Sequence, residues 1–450
     1  MKGGEAGERI TATWTIVLKE TAALSSQLVF LTRNILQVMK ASFGKDTFIL
    51  PNIVHSLKVE NCRQLNVLLD IAGVIPNEMF ILNSLMLYNI GNLTFLNTKV
   101  NAIPPYQVIL ENITNIDYIP SHSFFNNMFD LILLRNVTIN HVESEAFMNI
   151  TILKSFMWDR VHVGVMNTSS ISNVIAPYGE AMFQDSTFGV LELVSVHLAA
   201  PNVQRSQVQS PALLEFFFEA VDLERVQLSL VTFNNCRIND MRLNALNVIA
   251  DKFVFVNNSG FKLVMPRAFS IQAREISLID NDFEYLQTGA FESISPAMWY
   301  NSSEKDVSYT FRGNNITIAD AGGLHVDLYS YNTIQAKLLL DNNLFLCSCT
   351  HLGWLAVVAS PGDHMLGLQE FHKALLDPRT KNMCWGAKCN LPINVLEQMV
   401  QTELCFANMT NEDLCNYYYS TNQPSCSSHN ITDVMCIVMF LVILVFMVKF

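Results

Sequence analysis

Cysteines, glycosylation sequons and a few carboxylates are the residues of this chain whose type and spacing can do chemistry. Of the ten cysteines, Cys62 and Cys236 stand alone and Cys436 lies in an apolar tail. The other seven, Cys347, Cys349, Cys384, Cys389, Cys405, Cys415 and Cys426, crowd one stretch. Crowding of this kind points to disulfides and an oxidising compartment. Ten N-x-S/T sequons agree: Asn92, Asn112, Asn136, Asn149, Asn167, Asn257, Asn301, Asn315, Asn408 and Asn430. A zinc reading of Cys347-x-Cys349 is disfavoured, because 34 residues separate Cys349 from Cys384 and no C-x2-C pair is present. Asp280 and Asp282 are the one carboxylate pair that invites a catalytic reading. No P-loop, G-x-S-x-G, H-E-x-x-H or G-x-G-x-x-G occurs. His141 and His162 fall on surface positions of the pattern described next. No cofactor and no metal are expected.

The elements that must position these groups repeat. Ile276, Leu278, Asn281, Phe283 and Leu286, followed by Ala290-Phe291, give the frame L-x-L-x-x-N-x-I-x-x-L plus an Ala-Phe pair. Related frames run through Ile132, Leu134, Val137, Ile139 and Val142 before Ala146-Phe147, and through Val231, Phe233, Cys236, Ile238 and Met241 before Ala245-Leu246. A further frame takes Val254, Val256, Phe261 and Val264 before Ala268-Phe269. Weaker copies start near Leu57, Leu85, Ile109, Phe156, Leu191, Tyr309 and Leu338. The steps are about two dozen residues, the scale of a stacked supersecondary unit. Each unit is a short strand with alternate residues inward, a turn, and a return segment. The Asn, or a small substitute, sits where the chain bends and can satisfy backbone groups that the bend leaves unpaired. Cys62 and Cys236 occupy that slot, which reads as a small buried side chain rather than a redox or metal pair. No unit can bury its own apolar face, so units must stack. The run Phe216, Phe218, Val221, Leu223, Val226 also fits the frame but clashes with the copy at Val231. The period breaks over 167–184 and 293–305, which read as surface loops.

Composition sets the class. Half of the 450 residues are hydrophobic, 15% are charged, and the net charge is −12. No dense Lys/Arg run exists, which disfavours nucleic acid as a partner.

After Leu338-Leu-Leu340-Asp-Asn-Asn343-Leu-Phe345 comes Leu-Cys347-Ser-Cys349-Thr-His-Leu352-Gly-Trp354-Leu355. With this run the chain resembles the extracellular leucine-rich-repeat family with a cysteine-rich C-terminal flank, whose signature is N-x-F-x-C-x-C-x-L-x-W-L. One extra residue lies between the second cysteine and the Leu. The resemblance spans roughly 57–405. It implies an α/β repeat solenoid, a horseshoe with a parallel concave sheet and a helical, cysteine-rich cap. It also implies that Cys347 pairs with Cys384 or Cys389, and Cys349 with Cys405. The latter bridge is worth roughly 4 kcal/mol on the chain-entropy model.

The ends complete the plan. Residues 1–50 form an N-terminal segment in which Leu24, Leu28, Leu31, Ile35 and Met39 predict an amphipathic helix that can cap the repeats. Residues 12–18 are apolar but too short for a signal peptide, so an upstream segment is expected. Ten to eleven repeats fill 51–345, the cap 346–406 and a stalk 407–433. Residues 434–450 end in an apolar run, read as a membrane span or a glycolipid-anchor signal.

The expected function follows from the resemblance. The chain is a cell-surface recognition or adhesion protein, or a co-receptor, without catalysis. It binds a protein or glycan on another cell or in the same membrane and is held by its C-terminal tail. The expected ligand residues are Thr232, Asn234, Asn235, Ser277, Asp280, Thr310, Arg312 and Asp341. The rival is a right-handed parallel β-helix enzyme acting on carbohydrate.

Overall fold

The computed structural model describes residues 15–19, 53–68 except Cys62, 74–75, 78–79, 81–96, 107–125, 128–175, 179–198, 228–296, 307–326 except Ala321, 336–346, 371–385 except His372, 391–394 and 411–422. These residues form a parallel β-solenoid. Its cause is visible in the alternation. Along Phe147–Met166 the side chains of Phe147, Ile150, Ile152, Phe156, Trp158, Val161, Val163 and Met166 are buried while their neighbours face outward. Strands of this kind bury one face only by stacking on their copies.

Up to three strand segments per coil are separated by corners, and each segment adds to its own parallel sheet. The first sheet stacks 107–111, 131–135, 155–159, 180–184, 230–234, 252–256, 275–279 and 308–312 in register. The second stacks Thr187–Leu191 on Arg237–Met241, and Asp282–Leu286 on Asn315–Ala319. The third stacks 147–151 on Ile171–Ile175, and 246–250 on 269–273. Thr15–Lys19 adds a further strand to the first sheet by pairing in parallel with 56–60.

A repeat solenoid with a parallel sheet is therefore what the chain forms. The α/β horseshoe expectation is corrected, because the described residues between 84 and 346 contain no helix. The return segment is strand, since its apolar residues also alternate at period two and are rich in Val, Ile and Phe, which favour pleated sheet. The Ala-Phe pairs lead into the third sheet: Ala146, Ala268 and Ala290 are buried at the second corner, Phe147 and Phe269 begin strands, and Phe291 is buried in the turn just before Ser293–Pro296. Their rings belong to a chain of aromatic contacts that runs from Phe95 through Phe124, Phe147, Phe156, Phe183, Phe233, Phe255, Phe269 and Phe291 to Phe311.

The first corner is built differently in the two halves. In the N-terminal half the strands Ile81–Leu96, Gln107–Ile119 and Met128–Val142 run straight through it. Asn89, Asn112 and Asn136 take φ of 54°, 57° and 52° there. Asn tolerates this left-handed region better than most residues. The next residues, Ile90, Ile113 and Val137, are buried and apolar. In the C-terminal half the strands break, as between Leu228–Asn234 and Arg237–Met241. There the slot holds Ser186, Cys236, Asn258, Asn281, Asn314, Asn343 and Asn382, all buried.

Those asparagines form an interior amide ladder. The backbone N–H of Asn281 donates to Asn314 Oδ1 at 3.0 Å, and its Nδ2 donates to the Phe255 carbonyl at 2.9 Å. Its Oδ1 accepts from the N–H of Asn258 and from Asn258 Nδ2, both at 3.0 Å. The pattern repeats at Asn314 and Asn343 and ends at Asn382. Every side-chain amide of the ladder is satisfied, as a buried polar group must be. Steps along the ladder are 23, 33, 29 and 39 residues, so insertions between coils do not disturb it.

The same geometry corrects the frame at four places. Phe253 and Phe255 are buried and Val254 and Val256 face outward, the reverse of the expected frame. Val108 and Leu110, not Ile109, point inward. Leu191 starts no unit; it closes the second-sheet strand of the coil that begins at Glu180. The expected loop at 167–184 contains the strands Ile171–Ile175 and Glu180–Gln184. The 50-residue step from Asp185 to Asn235 puts the insertion at 199–227 instead. The clash at Phe216 is decided for Val231, which stacks between Ala181 and Phe253. The second break has a strand at Ser293–Pro296, and 297–306 lies outside the described residues.

At the C-terminal end, Met383–Trp385 adds in parallel to Leu344–Leu346 and pairs antiparallel with Leu391–Pro392. The expected stalk holds a helix, Asn411–Asn422. The expected helix at 24–39 and the apolar tail lie outside the described residues. No described helix is long and apolar enough to cross a membrane.

Candidate functional site

The outward side of the first sheet presents straight rows, because parallel register puts equivalent residues directly above one another about 4.8 Å apart. The middle row reads Met86, Ile109, Leu133, Met157, Met182, then Thr232, Val254, Ser277, Thr310. All nine are partly exposed. The row is thus apolar over five coils and hydroxyl-bearing over most of the next four. Beside it, toward the first corner, runs Glu60, Tyr88, Glu111, Arg135, Asp159, Gln184, Asn234.

Charge on that edge is internally paired. Arg135 contacts Asp159 at 2.9 Å and Glu111 at 3.9 Å, and Arg160 contacts Asp159 at 3.2 Å. Lys58 meets Glu60 at 2.7 Å and lies 5.1 Å over the Tyr88 ring. The hydrogen bond to Glu60 raises the Lys58 pKa, and burial beside Glu111 raises that of the Tyr88 phenol. Exposed pairs of this kind add under about 1 kcal/mol each, so they shape the edge more than they stabilise it.

The structure brings the eight expected ligand residues to this face and its corner. Thr232, Ser277 and Thr310 share the middle row, and Asn234 and Arg312 share the edge row. Asn235 and Asp280 occupy the left-handed corner position, with φ of 53° and 54°. Asp341 lies one coil on, its Oδ1 3.7 Å from Arg312 Nε. The apolar row from Met86 to Met182 was missed. Its signal is an apolar residue between two buried ones, as in Leu85-Met86-Leu87 and Phe156-Met157-Trp158.

Other candidates resolve plainly. Asp280 and Asp282 flank the buried Asn281, and Asp282 accepts from Asn315 Nδ2 at 3.0 Å. Adjacent coils put Asn257 and Gly313 at the level of Asp280 and Asn315 at that of Asp282, so no second carboxylate joins either. Cys236 is a buried free thiol whose Sγ lies 3.3 Å from the Phe183 carbonyl. Burial pushes its pKa up to about 12. It fills the ladder slot as a small side chain, and Cys62 lies outside the described residues. Among the described residues no group of three His, Cys, Asp or Glu is placed to hold a metal. His141 and His162 are exposed.

Asn112, Asn136 and Asn257 sit on the first corner, not on the sheet face. Asn92 is exposed, and Asn149, Asn167 and Asn315 are partly exposed. Asn301, Asn408 and Asn430 lie outside the described residues, as do Cys347, Cys349, Cys389 and Cys405. Cys384 and Cys415 are each disulfide-bonded. No family model matches the chain, and no curated protein and no solved structure is significantly similar to it.

Proposed function

We propose that this protein is a non-catalytic recognition scaffold on the extracellular side of a membrane. It takes a protein or glycan partner on the outward rows of its first sheet. The observation that carries the reading is the unbroken middle row, apolar from Met86 to Met182 and hydroxyl-bearing at Thr232, Ser277 and Thr310, with Val254 between them. A flat, partly exposed apolar row edged by charge is the composition of an interaction surface. The leucine-rich-repeat resemblance belongs to this proposal and is supported by the Asn slot and the Cys347–Cys349 flank motif. So do the pairings Cys347 with Cys384 or Cys389 and Cys349 with Cys405, the sequons, and anchoring through 434–450.

The test is binding of soluble, multimerised protein to cells that lack it. Arg312→Glu with Asp280→Lys probes the C-terminal half of the face, and Leu133→Asp with Met157→Asp the N-terminal half. Loss of binding in either pair, with the fold intact, supports the face; equal binding by both removes it. The rival reading, a β-helix enzyme on carbohydrate, is favoured by one observation, the three-sheeted coil. Release of reducing ends from polysaccharide, lost in Asp280→Asn with Asp282→Asn, decides for it.

A further inference from the structure

The first corner carries a second amide ladder, outside the core. Asn89 Nδ2 donates to Asn61 Oδ1 at 3.0 Å, Asn112 Nδ2 to Asn89 Oδ1 at 3.1 Å, and Asn136 Nδ2 to Asn112 Oδ1 at 2.9 Å. All four side chains are exposed. Asn112 and Asn136 each head a sequon, with Thr114 and Thr138 completing them. An N-linked glycan replaces one hydrogen of Nδ2, the atom each of these residues uses to reach the preceding rung. One substitution leaves one N–H to hold the ladder. Two put bulky sugars on consecutive rungs only about 4.8 Å apart. A pyranose with its acetamido arm is wider than that, and the rung-to-rung amide bonds align both side chains.

We propose that the exterior ladder admits an N-linked glycan on Asn112 or on Asn136, but never on both in one folded molecule. This rests on the extracellular reading for its natural setting, although the stereochemistry does not. Oligosaccharide is transferred to the chain before the coils close, so doubly modified chains form, and the clash between two sugars on adjacent rungs, not the loss of the ladder bonds, keeps their coils from stacking.

The test expresses the full chain behind a secretion leader, so that failure speaks against the ladder and not against the natural location. Glycopeptide mapping reads occupancy at both sites in the secreted, folded monomer and in the cell-retained fraction. Occupancies at Asn112 and Asn136 sum to no more than one per secreted molecule, and doubly modified chains collect in the retained fraction. Thr138→Ala removes one sequon while leaving Asn136 in the ladder, and occupancy at Asn112 rises; Thr114→Ala gives the mirror result. Near-complete occupancy of both sites in secreted monomer overturns the proposal. So does a secreted monomer bare at both sites in the wild type and in both variants.

Discussion

The two halves of the solenoid solve the same corner in opposite ways. In the N-terminal half the backbone pairs through the bend, asparagines stack outside, and Ile90, Ile113 and Val137 fill the slot within. In the C-terminal half the strand breaks, and a buried amide takes over the pairing that the backbone gives up. Ser186 and Cys236 stand at the changeover: Ser186 Oγ accepts from the Val161 N–H at 3.0 Å, and the Cys236 N–H donates to Asn258 Oδ1 at 2.8 Å. A corner thus tolerates an apolar slot only while backbone pairing continues across it. Once pairing stops, the slot must carry a donor and an acceptor, because an unpaired buried group costs about 1–3 kcal/mol.

Exchanging the two slots breaks the comparison hardest. Asn281→Val strips partners from the Asn258 N–H, Asn258 Nδ2 and the Phe255 carbonyl, with an expected loss of about 4 kcal/mol. Val137→Asn buries an amide where no ladder exists, with an expected loss of about 3 kcal/mol. Urea denaturation reads both. Equal tolerance of the two swaps would show the slots to be interchangeable.

Next comes the close approach of coils in the second sheet of the N-terminal half. A Cβ on Gly164 would meet the Asn140 carbonyl oxygen at 2.5 Å, and one on Gly189 the Gly164 carbonyl oxygen. Gly164→Ala is expected to lower stability by about 2 kcal/mol through forced separation of the coils, seen as a lower urea midpoint. An unchanged midpoint would mean that the coils slide apart freely.

The exterior ladder should matter least to stability. Asn112→Ala is expected to lose about 1 kcal/mol, from the left-handed backbone it must adopt. Asn112→Gly should lose less than the alanine, since glycine accepts that φ. If glycine loses as much, amide stacking and not backbone conformation holds the ridge.

How far these arrangements are legible in the sequence differs between the halves for the same reason. Ile276, Leu278 and Asn281 announce their frame because a polar residue among apolar ones fixes which parity is inward. Phe253-Val-Phe255-Val alternates equally well in either frame, and only Asn258 in the slot decides it. In the N-terminal half the slot is Ile or Val and the Asn stands one residue earlier, outside the core, so the slot itself does not fix the parity and Ile109 passes for an inward residue. The third sheet was hidden because Ala-Phe reads as packing behind strands without saying that the Phe begins another. Thr232, Ser277 and Thr310 share one outward row, whereas the apolar half of that row is not legible, since outward Met and Leu in such strands look like core.

The thiol at the changeover sharpens the picture at small cost. Because the folded pKa is raised from 9.0 to about 12, Cys236 contributes full stability below pH 9, and that contribution falls between 9 and 12. Thiol reagent at pH 8 should leave it unmodified until denaturant opens the coil. Rapid labelling in the native state would place Cys236 outside the ladder.

Hydrogen exchange of the wild type beside Asn281→Val tests the central claim most directly. Repeat units couple chiefly to their neighbours, so damage should spread locally. The backbone amide of Asn258, whose acceptor is removed, is expected to lose most protection, with smaller losses at Cys236 beside it, while those of Ile90, Ile113 and Val137 keep theirs. Undiminished protection around Asn258, or equal loss in both halves, would contradict an interior amide ladder confined to the C-terminal coils.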